Sequence, residues 1–247
     1  MTDQDVTPYI QAIDFIGEKL AESAPQGNDP GSIAVRDASR NLRGLVSKLS
    51  SRAHALKQLA ETRDPTRTPE AHEKRVAQAA KELERDIERV TDQANEHHRR
   101  AHLQIEEMLE KKVNLVPNEY ASEFRAIFRG METQERLSLI QELVDNNDGP
   151  QLAAILKAPK VLTGLTGEQQ AQFQQMLYNR HAGEEVKARD TLHNTFSSTL
   201  SAVQQARRTS MALTDSQKLA RIEAGERAAN EAETRFKESK FEAASGE

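Results

Sequence analysis

From Val76 onward, apolar side chains recur at alternating steps of four and three: Val76, Ala80, Leu83, Ile87, Val90, Ala94, His97 and Ala101, with Ile105 and Met108 continuing the stripe. No glycine and no internal proline interrupts this run, so the spacing predicts one helix over 69–112. At 1.5 Å per residue it would extend roughly 65 Å, well beyond an average globular helix, which makes it a coiled-coil or rod-like bundle helix. The same rhythm precedes it in Val35, Ala38, Leu42, Leu45, Leu49, Leu56 and Leu59, which predicts a helix over 32–62. Arg52 breaks that stripe, either as a buried residue paired with a glutamate on the following helix or as a long side chain reaching to the edge. Between the two helices, 64–69 carries Pro65 and Pro69, and Thr68-Pro69 supplies a cap followed by proline at the first helical position. A connection this short makes the two helices an antiparallel hairpin. Its interaction seam consists of Leu42, Leu45, Leu49 and Leu56 opposite Val76, Leu83, Ile87 and Val90.

The flanking segments read differently. Thr7-Pro8 again resembles a cap with proline behind it, and Ile10, Ile13, Ile16 and Leu20 line one face of a short first helix. The Pro-, Gly-, Asn- and Asp-rich stretch 24–31 is a loop. Past Lys112, Pro117, Gly130, Gly149-Pro150 and Pro159 cut the chain into short helices near 118–129, 134–145 and 151–158. Apolar density rises there, which predicts a compact unit. Thr166 with Gln169 has the capping-box form, so a long helix begins at that point, with Gly183 as a place to kink. Thr214 with Gln217 repeats the pattern and predicts a last helix from Asp215. That helix is thin in apolar residues and rich in i,i+4 pairs such as Glu223 with Arg227 and Glu233 with Lys237. The predicted fold is all-α and elongated, in four consecutive segments: 1–31 a short helix and loop, 32–113 the hairpin, 114–165 the short-helix unit, and 166–247 a C-terminal helical arm and tail.

Composition narrows the function. Of 247 residues only 36% are hydrophobic and 4% aromatic, while 30% are charged, which suits narrow apolar stripes better than a thick interior or a stacking pocket. The net charge of −5 is spread without a strongly basic segment, so nucleic acid is not expected as the primary partner. With no cysteine there is no disulfide or thiolate chemistry. The start lacks a basic region ahead of an apolar core, and no apolar run approaches a membrane span. A cytoplasmic protein is expected.

Candidate chemistry is sparse. His97, His98 and His102 are the only clustered metal-ligand types; His98 and His102 share a face, with Glu106 one turn further on. A zinc site normally adds a third ligand and an ordered second shell, so a solvated or pH-sensitive helix face is the expected role. His97 falls on the apolar seam, where a polar residue helps set register. Ser197, Ser198 and Ser201 near His193 do not compose a nucleophile with an orienting carboxylate. Phosphate-binding glycine patterns are absent. Neither a cofactor, a metal nor catalysis is expected. Phe236, Lys237, Lys240 and Phe241 form a possible amphipathic docking element at the end of the chain.

One region carries a resemblance. Glu119 to Ile127, Glu135-Arg136-Leu137, Gln151 to Pro159 and Leu162 to Thr166 resemble helical structural and assembly proteins of tailed bacteriophages in their short helices around an Ala-Pro turn and a Leu-Thr-Gly-Leu helix start. The resemblance implies a non-enzymatic virion, scaffolding or portal-associated component, incorporated into a particle and acting on itself and on other structural proteins. The long seams independently suggest a homo-oligomer, and the last helix suggests an adaptor or chaperone-like docking module as the other possibility.

Overall fold

The structure is a computed structural model that describes residues 5–22 and 27–242, with side chains as far as Glu238. Among the described residues it is all helical: α1 (Thr7–Glu22), α2 (Pro30–Glu61), α3 (Pro69–Lys112), α4 (Ala121–Gly130), α5 (Thr133–Asp145), α6 (Gly149–Leu156), α7 (Lys160–Thr163), α8 (Gly167–His181), α9 (Gly183–Ala212) and α10 (Ser216–Glu242). The breaks follow local chemistry. Asp29 accepts the Ser32 N–H and Thr68 the Ala71 N–H, each ahead of a proline at the first position of α2 or α3. Thr166 and Gln169 form the reciprocal capping box at the start of α8.

Three local expectations are corrected. Asp5, not Thr7, accepts an N–H at the start of α1, and the Thr7 hydroxyl instead receives the Lys57 ammonium at 2.9 Å. At α10 the cap is Asp215, which accepts the Lys218 N–H, because the Thr214 hydroxyl is turned back to the Ser210 carbonyl. The long helix expected from Thr166 is two helices: Ala182, at φ −136° and ψ 42°, leaves the helical region, and Gly183 opens α9 rather than kinking a continuous rod.

The contacts divide the chain into two compact units that are each discontinuous in sequence, unlike the four consecutive segments read from the pattern. The first comprises 1–19, 44–93 and 198–247; the second comprises 20–43 and 94–197. Helices α1, α2, α3 and α9 each give one portion to each unit, α1 only its last three residues to the second.

In the first unit the later part of α2 and the early part of α3 run antiparallel. His72 reaches the Ala60 carbonyl, and Arg52 pairs with Asp86 at 2.8 Å. Ile10 and Ile13 of α1 are buried, and Asp14 takes hydrogen bonds from Ser50 and His54 of α2. Helix α9 lies along α3, with Arg207 at Glu84 and the Ser210 hydroxyl donating to the Ala80 carbonyl. The α9 face is small and hydroxylic: Thr199, Ala202, Ala206 and Thr209 are buried. Small residues let two helix axes come close, and Thr209 satisfies its hydroxyl on the Gln205 carbonyl one turn back.

In the second unit the early part of α2 and the later part of α3 join α4 to α8 and the start of α9. Its core includes Val35, Ala101, Ile105, Leu109, Phe128, Ile140, Leu152, Ile155, Leu177 and Tyr178. Here α4 packs on α6 and α7, α5 on α6 and α8, and α6 on α8. Gln170 of α8 donates to the Ile155 and Ala158 carbonyls, closing the end of α6. Buried apolar area at about 25 cal/mol per Å² is what holds such a cluster, and α6 shows why: six of its eight residues are buried.

Candidate functional site

The eight seam residues are all buried inside the chain itself. Leu42 lies in the second unit, and Leu45, Leu49, Leu56, Val76, Leu83, Ile87 and Val90 lie in the first, where α1 and α9 pack beside the hairpin. They form core and present no free surface. Arg52 does not enter that core. It is half exposed and spans Asp86 and Glu82, while Ala53 carries the seam fully buried. A step of four from Leu49 to Ala53 followed by three to Leu56 keeps the face inward just as well as the reverse order. Partly exposed, the ion pair adds about 1 kcal/mol or less.

A cluster of histidines from two helices lies in the second unit. His98 and His102 of α3 stack with ring centroids 5.9 Å apart and planes within 2° of parallel. His98 also stacks on the Phe196 ring of α9, centroid to centroid 4.2 Å. His193, Asn194, Arg189 and Asp190 of α9 complete a groove of about 550 Å³. Arg189 is held by the Gln175 side chain at 2.7 Å, by Glu106 at 3.7 Å and by Asp190 at 4.0 Å. Burial pushes the His98 imidazole below its ordinary value, and the neighbouring His102 and His193 push the same way. On the same stretch of α3, Arg99 and Arg100 grip Glu96, whose carboxyl is pulled down to about 2. His97 is separate and partly buried, beside Ala94 and Ala101 of the buried stripe.

His98 and His102 were visible in the sequence as an i,i+4 pair, but their partners were not. Phe196 and His193 lie almost a hundred positions away, and only the return of α9 along α3 brings them in. No group of three or more metal-ligating side chains is placed to hold an ion among the described residues. Parallel stacking of the two rings turns their faces, not their nitrogens, toward one another. Calorimetric titration with zinc is therefore expected to give weak binding, micromolar or poorer, unchanged in His102→Ala. Submicromolar affinity lost in that variant would show that the rings rearrange into a true site.

Among the exposed regions, two bear on partner binding. On α4 and α7, which touch, Ile127 is 62% exposed and Val161 79%, with Tyr120 and Leu162 also open to solvent. On α10 every described side chain from Glu223 to Glu238 is exposed, including Phe236 and Lys237 of the expected docking element; the side chains of Lys240 and Phe241 lie outside the described residues. Lys218 pairs with Glu73 and Lys74 with Glu226, so the first turns of α10 are tied to α3. Further on, Lys237 pairs with Glu233 at 2.6 Å within the helix. No helix among the described residues is long and apolar enough to cross a membrane.

No protein-family model, curated protein or solved structure matches this chain.

Proposed function

We propose that this chain is a non-enzymatic structural or assembly protein that works by helix packing, with a homo-oligomer or a defined complex as its working form. The observation that carries the reading is the apolar exposure of Tyr120 at the cap of α4, Ile127 on α4, and Val161 and Leu162 on α7, which touches α4. Side chains of this size left outside a complete core suit a partner surface. The seam of α2 and α3 is not that surface, since its residues are occupied. The resemblance of 119–166 to structural proteins of tailed bacteriophages falls on the same stretch and favours a virion, scaffolding or portal-associated role.

The second reading is an adaptor that docks through α10. Its exposed turns favour it, because most helical stability in a protein comes from packing, and the side chains from Glu223 to Glu238 are all exposed. Sedimentation of the full chain and of a chain ending at Thr214, each alone and with a suspected partner, separates the two. Assembly through α4 and α7 keeps the truncated form associated and makes Ile127→Lys with Val161→Lys monomeric. Docking through α10 loses association on truncation. A monomer that binds nothing in either form across a wide concentration range overturns both.

A further inference from the structure

The histidine groove of the second unit extends the pH-sensitive helix face read from the spacing to a second helix. We propose that His98, stacked on Phe196 and on His102 and neighboured by His193, is an acid-sensitive clasp between α3 and α9 within this unit: closed while the imidazoles are neutral, and loosened when they take up protons.

Geometry sets the argument. A neutral imidazole is a flat ring that stacks on Phe196 and on the parallel ring of His102 at no electrostatic cost. Once protonated, His98 meets His102 and His193 as like charges in a partly buried place. The surrounding groups offer it little relief. On α3, Glu106 lies 3.9 Å from the His102 ring and is shared with Arg189, so it serves His102 and not His98. On α9, Asp190 is beside Arg189, and Lys187 is paired with Glu184. From α8 comes Gln175, a neutral partner for Arg189. The early part of α2 has Arg36 on the Gly27 carbonyl and Arg40 near Asp37. Glu96 is engaged by Arg99 and Arg100.

The direction with pH follows from linkage. Unfolded, the imidazole titrates at its ordinary value of 6.5; folded, it titrates lower. As the pH falls the unfolded or opened state therefore binds more protons than the closed one. The stabilisation is complete above the ordinary value and is lost progressively as the pH falls through it to the folded-state value. Asp and Glu hydrogen bonds fail only at lower pH, so the loss between pH 7 and pH 5 belongs to the histidines.

The test uses the full chain. Nuclear magnetic resonance titration of the imidazole ring protons, with His98 assigned through His98→Phe, is expected to give a His98 midpoint below 6.5. Hydrogen exchange corrected for intrinsic rate is expected to lose protection in 94–105 and 189–197 at pH 5 relative to pH 7.5. His98→Phe keeps a flat uncharged ring against Phe196 and is expected to retain that protection at pH 5. A His98 midpoint at or above 6.5, unchanged protection in the wild type, or equal loss in His98→Phe overturns the proposal. Should His98→Phe fail to fold, assignment through His98→Gln and the wild-type midpoint and exchange decide it.

Discussion

Ile87→Asp is expected to unfold the first unit or bring it close to unfolding. Ile87 is 0% exposed at the middle of the α3 seam, with Leu83 and Val90 buried on either side of it along the helix. Truncating a buried isoleucine already costs about 2–5 kcal/mol in lost burial and cavity. The carboxylate adds a charge inside an apolar layer where no basic group is assigned to it, a further penalty of several kcal/mol or a forced protonation. Together these rival the whole stability of an ordinary domain, roughly 5–15 kcal/mol. Ile87→Val, which removes one methylene, is expected to cost only about 1 kcal/mol. Thermal and urea unfolding followed by circular dichroism measure both. A melting temperature unchanged in Ile87→Asp would mean that this seam is not core.

Much of the architecture was legible because helix signals are local. Pro69 behind Thr68 and the periodic stripe to Lys112 place α3 at the observed bounds, and Gln134 to Asp145 lies one residue from the observed α5. Errors arose where two local solutions are nearly equal. Thr214 and Asp215 are both capping residues, and the choice depends on whether the threonine hydroxyl turns back to the Ser210 carbonyl. The stripe through Arg52 reads as interrupted only if steps of three and four keep strict alternation, whereas a 3.6-residue helix passes through Ala53 without loss. Four-residue α7 carries too little periodicity to be seen.

What the pattern could not supply was the partner of each face. That the seam is covered by α1 and α9 of the same chain depends on contacts such as Ser210 with Ala80, 130 positions apart. Nothing in the α9 stripe of Thr199, Ala202, Ala206 and Thr209 looks like a core face on a hydrophobicity scale, yet it is one. The candidate site shows the same limit. His98 and His102 announce themselves by spacing, but the features that give them chemistry, Phe196 beneath one ring and His193 beside it, are tertiary. Arg189, which ties Gln175 to Glu106, had no sequence signal at all.

Gly149→Ala is expected to be the most damaging small change in the second unit. Gly149 is buried at the start of α6, and a methyl group there would lie 1.9 Å from the Val113 carbonyl oxygen and 2.4 Å from that of Asn114. Both are backbone atoms in the turn that ends α3, so no side chain can swing aside. Asn114 holds that turn at φ 49°, and the Leu115 N–H returns to the Glu110 carbonyl at 2.8 Å. Relief requires α6 to move by more than 1 Å from the end of α3, pulling Leu152 and Ile155 against a core in which Val113 and Leu115 are also fully buried. Overpacking of this kind costs about 1–3 kcal/mol in a core that can yield, and more where only backbone stands in the way. Gly44→Ala is the matched control: it lies within α2 with nothing inside 4 Å of the added methyl, so it is expected to stabilise by roughly 0.5–1 kcal/mol. Urea unfolding of the two variants beside the wild type reads opposite signs from one chemical change. Equal effects would mean that α6 does not rest on the turn after α3.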